Sequence, residues 1–528
     1  MEKTFREVNM KLGERIKQIR KGAELTQGAF ASMFGVSHQS VQKWESGDAR
    51  PDIEKLVRIA KFAGMTLDEL VLGMKSDVIP TYDKQAVWES YAEQIYVEYR
   101  QSIEEGLDIS EYSELFSAVQ NMKRDGSKAK MANVLYEIVS SAKQVAGYKY
   151  FEPSDIDTIR ECRKRGFLPN KTLSDDELRE KIAGAWYGRI CGCLLGKTVE
   201  GIRTDELIPL LKSSDNYPMR RYIRRDDVTD EMINTYKFKL ENRCYADKLD
   251  CAPADDDTNY TVLYQWVIEH FGRDFTPYDV SRAWLTRQPI NAYCTAERVA
   301  YCNFVKGYLP PASAKFQNPY REWIGAQIRG DYFGYINPGD TETAADMAWR
   351  DASISHVKNG IYGEMFVAAM IAAAAVTDNI ETIIEAGLGE IPENSRLHEA
   401  IVHILEMYRC GVEEERVYAD IHRRWDEYSG HDWCHTISNA EIVTASLLYG
   451  GNDYGKSICL AVQTGFDTDC NGATVGSVLG MKNGIGSIGE EWTAPINGRL
   501  KTAIFGIGEI NIDDAIEMTL KHIKEKNA

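Results

Sequence analysis

No apolar run in this chain is long enough to cross a bilayer. The longest, Met365 to Val376, holds 12 residues, against the ~20 that a spanning helix needs, and reads as a helix buried on all sides. The opening segment, MEKTFREVNMKLGERIK, lacks the apolar core of a secretion signal and is charged and periodic throughout. The cytoplasm is therefore the expected location, with no membrane contact. Cysteine is missing from the first 161 residues, and the 11 that follow from Cys162 onward include no CxxC pair. That pattern suits reduced thiols in a core, not a disulfide framework or a zinc ribbon. Positive charge is scarce too: 62 Lys and Arg face 80 Asp and Glu, a net of −18, which excludes a protein that binds nucleic acid over its whole surface. The deficit is uneven. Residues 1–73 hold 12 basic and 10 acidic side chains, a net of +2, and the rest of the chain carries −20, so DNA binding is confined to the head and weakens with salt.

At 528 residues the chain exceeds what one core supports, and two or three domains are expected. Texture divides it into a head at 8–74, a helical connector at 80–175 and a large domain at 176–528. The connector is rich in tyrosine, breaks at Gly106 and at Asp125-Gly126-Ser127, and ends in the basic, Pro-containing stretch RKRGFLPNKTLSDD (163–176). Beyond it, KIAGAWYGRICGCLLG (181–196), YTVLYQWVIEHFG (260–272) and AEIVTASLLYGG (440–451) repeat at helical spacing or are apolar all round. Strand signals are weak. The expected fold class is all-α, with small residues where helices approach closely.

In the head, Leu12, Ile16 and Ile19 share one face of a first helix. Thr26 is suited to cap a short second helix, Gln27 to Phe34, which Gly35 ends; Ser37 caps a third, from His38 to about Glu45, closed by Gly47 and Pro51. Two short helices joined by a tight turn present the second to a major groove. The stretch from Leu25 to Leu70 resembles the Cro/repressor type of helix-turn-helix. That resemblance implies DNA as partner through residues 11–73, with Gln27 on a phosphate, His38, Gln39 and Ser40 toward base edges, and Gln42 and Lys43 on the backbone side. Val36, Val41, Trp44, Ile53, Leu56, Ile59 and Leu67 are expected in its core. Modules of this type read palindromic sites as dimers, so a homodimer is expected. A small helical bundle used for protein contacts is the alternative.

Asp255-Asp256-Asp257-Thr258 stands directly before the run NYTVLYQWVIEHF. Asp and Thr also cap helices, but three adjacent carboxylates exceed what a cap uses, and their repulsion raises their pKa values unless a cation sits among them. A second cluster, GFDTDCNGATVGSVLG (465–480), sets Asp467 and Asp469 on either side of Thr468 at the start of a Gly-punctuated apolar segment. Cap and ligand readings compete there as well. Together the clusters offer five carboxylates from two helix starts, enough oxygen donors for two hard cations.

With GAWYGRICGCLLGKTVEG (184–201) as an opening helix that leads to Glu200, ADDDT as a second motif and GFDTDC as a third, residues 185–500 resemble the ADP-ribosylglycohydrolases. The resemblance implies a helical hydrolase that holds two divalent metal ions, Mg²⁺ or Mn²⁺, through Asp255, Asp256, Asp257, Asp467 and Asp469. It also implies a catalytic set of Glu200, Asp256 and Asp469, with Glu200 positioning or deprotonating water. His356, Asn359 and Tyr335, with Tyr293, are expected to contact the substrate, an ADP-ribosylated protein or small molecule hydrolysed at ribose C1. Trp433 and His435 read as structural. Three positions depart from the family pattern: Cys193 replaces an Asp, Asp255 a Ser or Thr, and Cys470 a Thr or Ser. Thiols are poor ligands for Mg²⁺, yet five aspartates still suffice for metal. A sensor of ADP-ribose or of a nucleoside-like ligand, acting as a transcriptional regulator, is the alternative to an enzyme.

Overall fold

The computed structural model describes residues 2–73, 85–169 and 171–525; Met74 and residues 80–84, at the expected domain edges, lie outside them. Two compact units divide the chain: Met1–Ala86 with Met122–Met131, and Val87–Asn121 with Ala132–Ala528. No helix among the described residues is long and apolar enough to cross a membrane.

The first unit contains five helices of the head: α1 (Glu2–Gly22), α2 (Gln27–Phe34), α3 (His38–Ser46), α4 (Ile53–Phe62) and α5 (Leu67–Leu72). Their boundaries follow from capping. Thr26 accepts from the Ala29 N–H and Ser37 from the Ser40 N–H, while Gly35 and Gly47 take the left-handed conformation that ends α2 and α3. Leu12, Ile16, Val41, Trp44 and Ile59 are buried as expected, with Phe30, Phe34 and Leu70 beside them; Val36, Leu56 and Leu67 are partly buried. Ile53 departs from expectation. It is the first residue of α4, after the Asp52 cap, and is 72% exposed because the following turns carry the buried face.

In the second unit helix again dominates. Among the described residues the only strands are Arg499–Lys501 and Glu509–Asn511, antiparallel with Leu500 opposite Ile510. The expected buried helix runs Asn359–Ala374, every residue inside. The helix Asp175–Lys197 starts from a capping box, Ser174 with Glu177, and packs antiparallel against Thr468–Asn483 along a seam of glycines. A Cβ at Gly184, Gly188 or Gly192 would stand 2.2, 2.2 or 2.1 Å from the carbonyl oxygen of Gly480, Gly476 or Gly472. Only hydrogen fits there. At its far end the seam sets the Gly196 carbonyl 2.9 Å from Thr468 Oγ1, so the segment leading to Glu200 meets the start of the Asp467–Asp469 helix.

From Val87 on, the region expected as a connector belongs to the second unit except for Met122–Met131. Helix α6 (Ile95–Glu104) is tied into the second unit by buried polar groups. Arg321 pairs with Glu98 (2.7 Å) and Glu105 (2.6 Å), Arg100 with Asp432 (2.7 Å), and Gln101 donates to Glu322 (2.6 Å).

Candidate active site

Both aspartate segments open onto one cavity of about 400 Å³, whose acidic lining is Glu200, Asp256, Glu297, Asp467 and Asp469. Local structure decides between cap and ligand. Asp255 caps the helix Asp256–Phe271: its Oδ1 accepts from the Asp257 N–H (2.9 Å), and its Oδ2 pairs with the Lys197 ammonium. Each of its oxygens thus already has a partner, although its ligand atoms also lie within 4.8 Å of those of Cys193 and Asp257. Asp467 occupies the N-cap position of Thr468–Asn483 but makes no side-chain cap bond, so its carboxylate is left to the cavity. It is held there by a left-handed backbone at Gly465 and at Phe466 (φ 57°), a conformation costly for a bulky residue. The Phe466 carbonyl accepts from Trp433 Nε1, and the Asp467 N–H donates to Asn439 Oδ1 (3.2 Å).

Asp257 and Asp469 lie deeper. Arg189 bridges Asp257 Oδ1 (3.1 Å) and Asp331 (2.8 Å), while Asp257 Oδ2 and Asp469 Oδ1 are buried without a hydrogen-bond partner. Burial, and then the repulsion of neighbouring carboxylates, pushes the pKa values of Asp256 and Asp469 well above the usual range; Asp257 is raised in the same way despite Arg189. A crowd of buried carboxylates with unused lone pairs is the donor chemistry that a divalent cation fits. Glu200 is raised to about 7 by burial and by Asp255 and Asp467, with Lys197 opposing.

The rest of the lining is aromatic and thiol-bearing. Trp88, Tyr320, Trp323 and Trp433 face the cavity, as do Gln94, Cys294, Cys434 and Cys470. Trp433, expected to be structural, is thus part of the lining, and Arg203 lies over its ring at 4.8 Å. Trp88 and Gln94 belong to the expected connector, and no motif marked them. The three expected substrate contacts do not line the cavity. Tyr335 bonds Ala185 O (3.1 Å) and Ser477 Oγ (2.7 Å), clamping the glycine seam. Asn359 spends its amide on Glu152, Glu322 and the Leu397 N–H. His356 is buried against the Trp323 backbone with its Nδ1 at Ser355 Oγ (2.8 Å), and burial keeps it neutral. Tyr293 is likewise internal, bonded to Trp284 O. In the head, His38, Gln39, Gln42 and Lys43 are exposed, Ser40 Oγ lies 2.9 Å from Ser37 Oγ, and Gln27 donates to Glu45 (2.8 Å).

Residues 174–519 match the family model for ADP-ribosylglycohydrolase, and residues 16–70 match one for a helix-turn-helix. The head is 42% identical over 64 residues to the HTH-type transcriptional activator BcrR of Enterococcus faecalis, covering 12% of this chain and 31% of that protein. It is 41% identical over 61 residues to the cryptic phage CTXphi transcriptional repressor RstR of Vibrio cholerae serotype O1, covering 12% of this chain and 54% of that protein. The chain thus spans about a third and about half of these curated relatives. A solved structure described as an ADP-ribosylglycohydrolase-related protein complex is similar with a TM-score of 0.42 and 16% identity, over 66% of this chain and 99% of that one.

Proposed function

Because the chain belongs to the ADP-ribosylglycohydrolase family and carries a helix-turn-helix DNA-binding domain ahead of that domain, we propose that it hydrolyses the bond at ribose C1 of an ADP-ribosylated or related N-ribosyl substrate and binds DNA as a homodimer. The observation that carries this reading is the single cavity onto which Glu200, Asp256, Asp467 and Asp469 open. Asp256, Asp257, Asp467 and Asp469 are the residues that would hold divalent cations, with Asp256 and Asp469 also nearest the chemistry. A bound divalent cation supplies Lewis-acid charge at the ribose hydroxyls and the attacking water. Glu200 positions that water and takes its proton, since it is partly buried and its carboxyl is raised to about 7, near the working pH of a general base. Departure of the leaving group leaves an oxocarbenium-like centre, which the carboxylates stabilise. Trp88, Tyr320, Trp323 and Trp433 offer flat faces for a planar part of the substrate.

Turnover of ADP-ribosyl-arginine, nucleosides and ADP-ribosylated small molecules with Mg²⁺ or Mn²⁺ tests the proposal. Asp256→Ala and Asp469→Ala are expected to lower turnover about 10³-fold, the equivalent of about 4 kcal/mol of transition-state stabilisation. A second reading, ligand sensing by a transcriptional regulator, draws on Trp88 and Gln94, which place the segment following the head in the cavity wall. Saturable binding of ADP-ribose without release of any product would favour the sensor over the enzyme.

A further inference from the structure

Two groups of potential ligand atoms meet at Asp257. Cys193, Asp255 and Asp257 bring theirs within 4.8 Å of one another, and so do Asp257, Asp469 and Cys470. Each group contains one thiol. Asp255 is occupied by its cap bond and by Lys197, and Arg189 holds one oxygen of Asp257. The oxygens left over, Asp257 Oδ2 and Asp469 Oδ1, are buried with no hydrogen-bond partner, and Cys470 is the thiol grouped with both of these aspartates. Two donors bound to one ion at about 2.3 Å for sulfur and about 2.0–2.2 Å for oxygen are at most about 4.5 Å apart. The spacing of Asp257, Asp469 and Cys470 therefore closes on a common ion after small side-chain movements.

Hard cations prefer oxygen and reject thiolate, whereas Zn²⁺ and Co²⁺ accept both. We propose that this chain's centre is a mixed thiolate–carboxylate site, built from Asp257, Asp469 and Cys470, that takes a thiophilic divalent cation of the Zn²⁺ type in preference to Mg²⁺. The inference rests on the metal-holding part of the functional reading above and refines it. Cys470 is then a ligand and not an inert replacement, and the site's preference is set by its sulfur.

Full-length protein stripped with a chelator and titrated with Co²⁺ tests this. A sulfur-to-cobalt charge-transfer absorption in the near ultraviolet is expected, removed by an equivalent of Zn²⁺ and untouched by a hundredfold excess of Mg²⁺. Cys470→Ser should abolish it. Cys191→Ser should not, because that thiol is turned away to the Trp492 carbonyl (3.3 Å). The wild-type spectrum decides the matter even if a variant fails to fold. Cobalt bound without the charge-transfer band, displacement by Mg²⁺, or no ion bound at all would each overturn the proposal. Mg²⁺-supported turnover without the band sinks this inference and spares the hydrolase reading; the band without turnover of any ribosyl substrate does the reverse.

Discussion

Glu200 is partly buried at the cavity edge and poised near neutrality by burial and by the charges of Asp255 and Asp467. A carboxyl group in that state can hold or take a proton without being lost to a cation. Glu200→Gln is expected to lower kcat about 10²–10⁴-fold, the range of general acid–base catalysis, while calorimetric titration shows divalent cation binding unchanged. Loss of cation binding in this variant would make Glu200 a ligand instead. Other residues were less legible. Asp255 and Asp467 look alike in sequence, one beside each motif, yet one caps its helix and pairs with Lys197 while the other keeps its carboxylate for the cavity. Tyr335 and Asn359 carry the right chemistry for substrate contact, but their polar atoms are already consumed within the core. Hydrogen-bond saturation depends on neighbours distant in the chain, so no motif reports it.

At the scale of elements, helix α6 is fastened by a cluster that looks like a metal site and is not one. Glu104, His431 and His435 bring ligand atoms within 4.8 Å. His431 Nδ1 accepts from Trp323 Nε1 and His435 Nδ1 from the Ile437 N–H, each at 3.2 Å. A neutral imidazole that accepts at Nδ1 carries its proton on Nε2, so both rings turn an N–H toward Glu104 and neither offers a lone pair. Burial works against the Glu104 carboxylate, but the hydrogen bond from His431 and the surrounding charges, Arg100 among them, together outweigh it and lower its pKa from 4.5 to about 2. A carboxyl group lowered in the folded state stabilises above its unfolded pKa and loses that contribution as pH falls through the folded value. Glu104 thus contributes up to about 3 kcal/mol at neutral pH, a contribution that fades between about pH 4.5 and about pH 2. The difference in thermal midpoint between wild type and Glu104→Gln should be largest near neutrality and vanish toward pH 2. A difference independent of pH would mean that shape, not charge, holds α6. Nothing in the 80–147 composition announced this docking, because its partners, Arg321, Asp432 and His431, lie more than 200 residues away.

For the whole molecule, a head of net +2 is joined to a remainder of −20; phosphate contacts of the head are expected to make DNA binding weaken with salt, and repulsion from the acidic part to lower its affinity. Sites selected from random DNA by the full-length protein are expected to be palindromic. Lys43→Ala should weaken binding to all of them and reduce the salt slope by about 1, whereas Gln39→Ala should change which sequences are selected. A Gln39→Ala variant with unaltered selection would remove that side chain from base readout. By itself the sequence determined the two-part character of the chain, the helical class, the caps of α2 and α3 and the acidic motifs, since these depend on periodicity, end chemistry and residue type within short windows. Only tertiary structure decided which aspartates face the cavity, that Trp88 and Trp433 wall it, and that two thiols stand among the carboxylates. Those outcomes depend on how closely Gly184, Gly188 and Gly192 let two helices approach, a contact between segments nearly three hundred residues apart that no local pattern encodes.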